Sequence, residues 1–242
     1  MATTGILGTG FIGNTLRKHL ASKGVELLLN DPTVGYTDDL TGVETLFVCI
    51  NVPNNSDGAQ DTTILVEALE PYRKVRNIFV RSSVLPGTCD FLTAFLETNV
   101  YALPEFLTRA TAEQDESSLP LVAGGGEAVL QELFGDKKIY VMKNAEAELT
   151  KYTHNCFGLT KIWFFNLIHA ICKKEELDFE NVRAGSMITD FVGEQWSHVP
   201  GPDGKFGAGG PCLPKDMQAF SEWSSLVALK SILQDNAKFR GE

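Results

Sequence analysis

The chain has 242 residues and a mass of 26.5 kDa, enough for one large domain or a medium one with a small companion, each with a real core. Its 43% hydrophobic and 21% charged residues, with 22 Gly and 10 Pro, sit near the globular average and away from collagenous, coiled-coil and low-complexity classes. The 21 Lys+Arg against 31 Asp+Glu give a net charge of −10, which repels polyphosphate at long range and argues against a nucleic-acid-coating role, while a local pocket for one small anion stays open.

From the first residues onward, apolar runs of strand length alternate with amphipathic stretches of helix length. The pattern predicts strands near 4–8, 25–30, 45–51, 77–82, 99–102, 119–123 and 138–142. Helices are expected between them at 11–23, 60–72, 88–97 and 126–134. Right-handed crossovers place such helices on both faces of a sheet, so the fold class is α/β with a doubly wound parallel sheet. The signal changes after Asn144: residues 145–176 hold no Pro, one Gly and a sustained helical spacing of large apolar residues, a helix roughly 45 Å long at 1.5 Å per residue. The domain boundary is therefore set at 1–143 and 144–242, the second part being smaller and all-helical. The long helix presents Leu149, Tyr152, Cys156, Leu159, Ile162, Trp163, Phe165 and Ile168, and we expect it to build a homodimer interface. Shorter helices are expected at 179–188 and 214–235. The Gly/Pro-rich stretch from His198 to Pro214 between them reads as a flexible linker or a ligand-binding loop.

The longest apolar run, Ile162 to Cys172, is broken by Asn166 and His169 and falls short of the ~20 residues that a bilayer needs, so it reads as a buried helix and no membrane association is expected. The chain opens directly on the Gly5-Ile6-Leu7 strand, without a basic leader or a cleavage site after a hydrophobic stretch. Cys49, Cys89, Cys156, Cys172 and Cys212 are an odd set without a Cys-x-x-Cys pair, which indicates neither a disulfide framework nor a zinc knuckle. A reducing cytoplasm fits this usage. The histidines show no metal spacing, and no metal is expected.

Gly8-Thr9-Gly10-Phe11-Ile12-Gly13 has the Gly-x-Gly-x-x-Gly spacing, follows a predicted strand and opens an amphipathic helix, and a second strand ends in Asp31. This is the context of a Rossmann-type dinucleotide fold. Gly8 permits the tight turn, Gly10 lets the backbone approach a pyrophosphate at the helix N-terminus, and Gly13 lets helix and strand pack closely. Asp31 is placed to accept from the adenosine ribose hydroxyls. A carboxylate there repels a 2′-phosphate, so NAD is favoured over NADP. Val52, Pro53 and Ser83, after the next two strands, join Phe11 and Ile12 as further candidate cofactor contacts.

Four more segments occur in a telling order: Arg81-Ser82-Ser83-Val84-Leu85-Pro86-Gly87-Thr88, Pro104-Glu105-Phe106-Leu107, the stretch from Ala147 to Asn155, and Gly209-Gly210-Pro211-Cys212-Leu213-Pro214-Lys215-Asp216. With the dinucleotide turn, this set resembles the UDP-glucose/GDP-mannose dehydrogenase family, in register from Gly5 to about Asn236. Family members oxidise the C6 alcohol of a nucleotide sugar to a carboxylate with two NAD. The resemblance implies Cys212 as the nucleophile that forms a thiohemiacetal and then a thioester, and Glu105 as the base that activates water to hydrolyse it. It implies Lys151 and Asn155, four residues apart on one helix, as the pair that stabilises the oxyanion. Asp216 would orient water or pair with Lys151. Ser83 stands where the family usually has Thr and keeps the hydroxyl. The other four cysteines lie in apolar patterns and are expected in the core.

The sequence departs from the family in three further ways. Family members typically carry a third domain after the central helices, which forms most of the pocket for the nucleotide, and this sequence stops at Glu242. The segment from Pro32 to Leu40 replaces a longer helical excursion, and Ala208 falls where many relatives have an aromatic residue. Two functions from different classes follow: an NAD-dependent dehydrogenase acting through Cys212, or a dimeric NAD-binding module that is non-catalytic or needs another chain for the nucleotide. Retention of Cys212, Glu105, Lys151, Asn155 and Asp216 favours the first, and the third domain's absence favours the second. A hydroxy-acid dehydrogenase, the nearest enzymatic rival, needs no thiol.

Overall fold

A computed structural model describes residues 3–135 and 137–241. The chain packs as two compact units, Met1–Pro53 with Gln60–Lys151, and Asn54–Ala59 with Tyr152–Glu242.

In the first unit the strands are β1 (Thr4–Leu7), β2 (Leu27–Asp31), β3 (Tyr36–Thr37), β4 (Thr45–Val48), β5 (Asn77–Val80), β6 (Asn99–Ala102), β7 (Leu121–Ala123) and β8 (Ile139–Val141). The helices are α1 (Phe11–Ser22), α2 (Thr63–Leu69), α3 (Thr88–Leu96), α4 (Ala112–Ser118) and α5 (Glu127–Phe134). Six strands form one sheet in the order β3-β2-β1-β4-β5-β6, parallel except for β3. The last two expected strands, β7 and β8, pair in parallel as a separate two-stranded sheet. Side chains alternate along each central strand: Ile6, Phe47 and Phe79 bury on one face with Leu16, Leu20, Leu130 and Phe134, whereas Leu46, Val48, Ile78 and Val80 bury on the other with Leu65, Leu69 and Leu92. Both faces are thus covered, the condition that a parallel sheet requires. Strand order reverses at β1, so the ends of β1 and β4 form the switch point where ligands of this architecture bind.

Three local differences from the sequence pattern have physical causes. The segment after Asp31 forms a 3-10 turn at Pro32–Val34 and the short antiparallel edge strand β3, too short to give an alternation signal. Helix α2 gives way to a 3-10 turn at Glu70–Tyr72 because Pro71 cannot continue it, and it starts late, at Thr63, whose amide and hydroxyl bond Asp61 Oδ1. Helix α4 is polar along its length and carries no apolar period. It forms where Glu116 turns inward to meet Arg81, at 2.7 Å between two fully buried groups.

The long helix α6 (Asn144–Lys174) has 31 residues and runs from the first unit into the second. The second unit adds α7 (Phe179–Ser186), α8 (Leu213–Ser224) and α9 (Val227–Arg240), and Phe165 and Cys172 of α6 cluster with Phe179 of α7 and Val199. The single helix expected at 214–235 is two: Ser225 takes a left-handed conformation (φ 57°) and Leu226 an extended one, which ends α8 and starts α9. The one glycine within the expected long helix's apolar run, Gly158, has its packing reason here, because a Cβ would stand 2.7 Å from the Trp196 ring. Among the described residues, no helix is long and apolar enough to cross a membrane.

Candidate active site

The turn after β1 has the geometry that its glycines require. Gly8 has φ +85°, and a Cβ there would stand 2.9 Å from the Cys49 carbonyl oxygen. A Cβ on Gly13 would overlap the carbonyl oxygen of Gly8. Gly10 is the residue before α1, and a Cβ on it would meet nothing within 4 Å, so its face of the turn lies open at the helix N-terminus. These residues therefore fit a dinucleotide pyrophosphate. Asp31 is fastened to the same turn: Thr9 donates its amide (2.7 Å) and hydroxyl (3.1 Å) to Oδ2, while Thr33 donates to Oδ1. The Thr33 hydroxyl, followed by the Thr9 amide, holds the Asp31 carboxyl below its ordinary range. Phe11 is exposed with the Arg109 guanidinium 5.2 Å from its ring centre, and Ile12 packs partly into the core beside the turn. Val52 is buried in the core on the far side of the sheet, so its backbone and that of half-buried Pro53, not the Val52 side chain, border the end of β4.

The first unit also holds a buried ion pair. Lys151 Nζ donates to Glu105 Oε1 at 3.0 Å and to the Glu105 carbonyl at 2.6 Å, and the Leu107 amide donates to Glu105 Oε2 at 2.7 Å. Both side chains are less than one-tenth exposed. Ser83 lies half-buried in the loop after β5, which is held from two sides. The side-chain amide of Gln60 donates to Ser83 O (2.8 Å) and accepts from Leu85 N (3.0 Å). The Glu148 carboxylate of α6 accepts from Gly87 N (2.6 Å) and Cys89 N (2.7 Å), capping α3, and burial pushes its carboxyl above the usual range.

In the second unit, Asn155 of α6 donates to Asp216 Oδ2 of α8 at 2.6 Å, and Asp216 Oδ1 accepts from Lys215 at 2.7 Å. Asp216 has no exposed surface. Its backbone amide bonds the carbonyl of Cys212, the residue preceding α8, so thiol and carboxylate share the first turn of one helix. Cys212 is exposed, and a helix N-terminus favours an anion over a neutral group. The other four cysteines are buried as expected. Burial pushes the Cys49 and Cys156 thiols up to about 12 and raises Cys89 as well, which makes those three poor nucleophiles at neutral pH.

The expected candidates thus fall into three groups: the glycine turn with Asp31, Glu105 with Lys151, and Asn155 with Asp216 and Cys212. Within its own unit Asp216 is engaged by Asn155 and Lys215, and within its own unit Lys151 is engaged by Glu105. Sequence reasoning missed the supporting residues Gln60, Glu148 and Lys215. Glu148 and Lys215 lie inside recognised segments, but nothing in their spacing says whose backbone or charge they meet. Among the described residues, no cluster of three His, Cys, Asp or Glu could hold a metal ion.

A sheet that is doubly wound around a Gly-x-Gly-x-x-Gly turn and continues through a long helix into a helical unit defines a dehydrogenase-type nucleotide fold. The solved UDP-glucose dehydrogenase of Pyrobaculum islandicum has this fold, with a TM-score of 0.86 over 100% of this chain and 68% of that one at 22% identity. The 3-hydroxyisobutyrate dehydrogenase of Mycobacterium tuberculosis shares it too, with a TM-score of 0.75 at 16% identity, over 100% of this chain and 94% of that one. Residues 145–237 match the central domain of the UDP-glucose/GDP-mannose dehydrogenase family. The UDP-glucose 6-dehydrogenase of Rickettsia typhi is 27% identical over 83% of this chain and 51% of its own length. Over the central-domain segment and along most of its length the chain is thus similar to members of the UDP-glucose/GDP-mannose dehydrogenase family. It spans about half the length of the curated relatives it matches.

Proposed function

We propose that this chain is an NAD-dependent dehydrogenase that oxidises the C6 alcohol of a nucleotide sugar to the carboxylate through Cys212. The observation that carries the reading is the buried 2.6 Å bond from Asn155 to Asp216, which anchors the start of α8 where the exposed thiol of Cys212 stands. The glycine turn with Asp31 would hold the dinucleotide, with Phe11, Ile12, Val52, Pro53 and Ser83 bordering it. When bound, NAD supplies the hydride acceptor, one molecule for each two-electron oxidation.

Loss of a proton and a hydride from the alcohol gives an aldehyde. The Cys212 thiolate then adds to the aldehyde carbon: a C–S bond forms and the carbonyl electron pair moves onto oxygen. The Lys151 ammonium and the Asn155 amide, one helical turn apart on α6, supply the charge and the donor that this oxyanion needs. As the carbonyl reforms, a second hydride leaves and a thioester remains on Cys212. Glu105 takes a proton from water, hydroxide adds to the thioester carbon, and the C–S bond breaks to return the thiolate and release the acid. Because Lys151 and Glu105 form one buried pair, the cation that meets the alkoxide and the base that activates water are set by the same contact.

The reading extends to a homodimer in the cytoplasm. Of the apolar residues expected on α6, Tyr152, Cys156, Leu159 and Phe165 bury within the chain, and the helix also carries Phe157, Phe164 and Ile171, outside that expected set, which are more than half exposed. The test is to mix the purified chain with NAD and a panel of nucleotide sugars, count NADH per product, and repeat with Cys212→Ser. Two NADH per acid are expected from the parent, and the variant should bind NAD yet form no acid. Iodoacetamide should label Cys212 ahead of the other cysteines, with substrate protecting it. Acid formation by Cys212→Ser at the parent rate would overturn the thioester route. NAD binding without NADH from any sugar would favour the dimeric binding module instead.

A further inference from the structure

The glycine-rich stretch ahead of Cys212 is pinned by side chains from two helices of its own unit. Asn236 of α9 makes both of its amide bonds to one residue: Oδ1 accepts from Ala208 N at 2.6 Å, and Nδ2 donates to Ala208 O at 2.9 Å. Asn166 of α6 accepts from Gly207 N at 2.9 Å and is itself oriented by donating to Ile162 O at 2.8 Å. Asn166, Asn236 and Ala208 are all less than one-twentieth exposed, so these bonds form away from water, where an unmade one is costly. The fit is tight on the loop side as well. Gly207 has φ +72°, and a Cβ there would stand 3.0 Å from Asn236 Oδ1.

We propose that Asn236 is a positioning residue for Cys212: its amide copies the donor and acceptor of a peptide group against Ala208, and so fixes the loop that delivers the thiol to the start of α8. Gly207, Gly209 and Gly210 give this segment the largest backbone freedom available to a chain. The helix side of the thiol is anchored through Asp216 and Asn155, and the loop side has Asn236 and Asn166 as its anchors. A displacement of about 1 Å at a reacting group can cost on the order of a hundredfold in rate, so a loop with this freedom needs such an anchor. The consequence for turnover rests on the dehydrogenase reading, but the clamp itself does not.

The test compares the whole parent chain with Asn236→Ala, which removes both bonds, Asn236→Asp, which keeps only the acceptor, and Gly207→Ala, which crowds the same contact from the loop. Amide exchange read by mass spectrometry over residues 206–212 should be about tenfold faster in Asn236→Ala and intermediate in Asn236→Asp. With a nucleotide sugar and NAD, kcat should fall about tenfold or more while KM and NAD affinity stay within about threefold, the split expected from misplacing a reacting group. Unchanged exchange over 206–212 would overturn the clamp. Faster exchange with parent kcat would overturn the positioning role. If Asn236→Ala does not fold, Asn236→Asp and Gly207→Ala carry the same two criteria. If the parent yields no NADH with any sugar, the dehydrogenase reading fails, and the clamp is judged on exchange and on the rate of Cys212 alkylation by iodoacetamide. That rate should differ from the parent's by about threefold or more, and equal rates would overturn the proposal.

Discussion

Two alanine substitutions in the dinucleotide turn separate what the fold needs from what a ligand needs. Alanine at Gly13 gains up to about 1 kcal/mol of helix propensity. Against this, its Cβ would overlap the Gly8 carbonyl oxygen and lie 3.1 Å from Cys49 Cβ, and backbone oxygen cannot rotate away as a side chain can. Because the clash is with backbone, the cost lies at the upper end of the about 1–3 kcal/mol typical of overpacking, and after the propensity gain the net expectation is a loss of about 2 kcal/mol. At ~2–4 °C per kcal/mol for a chain of this size, Tm should fall by about 5 °C. The turn must open to admit the methyl group, so NAD affinity should fall with stability. Alanine at Gly10 meets nothing within 4 Å and loses only a favourable cap residue, so its Tm should stay within about 2 °C of the parent. Its methyl group nevertheless stands on the open face of the turn, and NAD affinity should fall by about tenfold or more. Differential scanning fluorimetry and isothermal titration with NAD read both quantities. Parent NAD affinity in Gly10→Ala, or a parent Tm in Gly13→Ala, would refute the reasoning.

Replacing Asp31 by Ala should weaken NAD binding and relax its preference over NADP; equal affinity of the unmutated chain for the two cofactors, measured by titration, would contradict the carboxylate's role. His19 stacks on Phe134 at 5.6 Å, and burial, then Lys137, Lys23 and Arg81, lowers its pKa to about 4. An unfolded histidine takes up a proton near 6.5 and the folded one does not, so this group should cost stability as pH falls from about 6.5 toward 4. His19→Gln should flatten the decline of Tm across that window, and an identical slope in parent and variant would remove His19 as its cause. Phe157→Glu with Phe164→Glu should leave the chain monomeric by light scattering at micromolar concentration if the exposed face of α6 is a dimer interface. A monomeric parent would dispose of the dimer instead.

Much of the first unit was legible because its signals are local. Alternation along β1, β4 and β5, helical periods between them, and glycines at fixed spacing all act over a few residues, so the succession of strands and helices along the chain and the placing of the turn follow from pattern. What lacked a local signal was missed: β3 is two residues long, α4 is polar, and Ser225 in a left-handed conformation interrupts an otherwise continuous helical pattern. The separate pairing of β7 with β8 is likewise a matter of long-range register.

The candidate site divides along the same line. Sequence alone determined which chemistry-bearing residues are present: the thiol, the carboxylates, the lysine and the glycine turn with its terminal Asp31. Helical spacing set Lys151 and Asn155 one turn apart. Partners were decided only by tertiary structure, because a charge chooses its neighbour through space and a buried backbone group takes whichever side chain reaches it. Lys151 meets Glu105, 46 residues away in the chain, and Asn155 meets Asp216 across 61. Gln60 and Glu148 hold the Ser83 loop, and Asn236 holds Ala208 from 28 residues away. These amides and carboxylates sit in ordinary helical or loop sequence, and only folding supplies the peptide groups that give them a role.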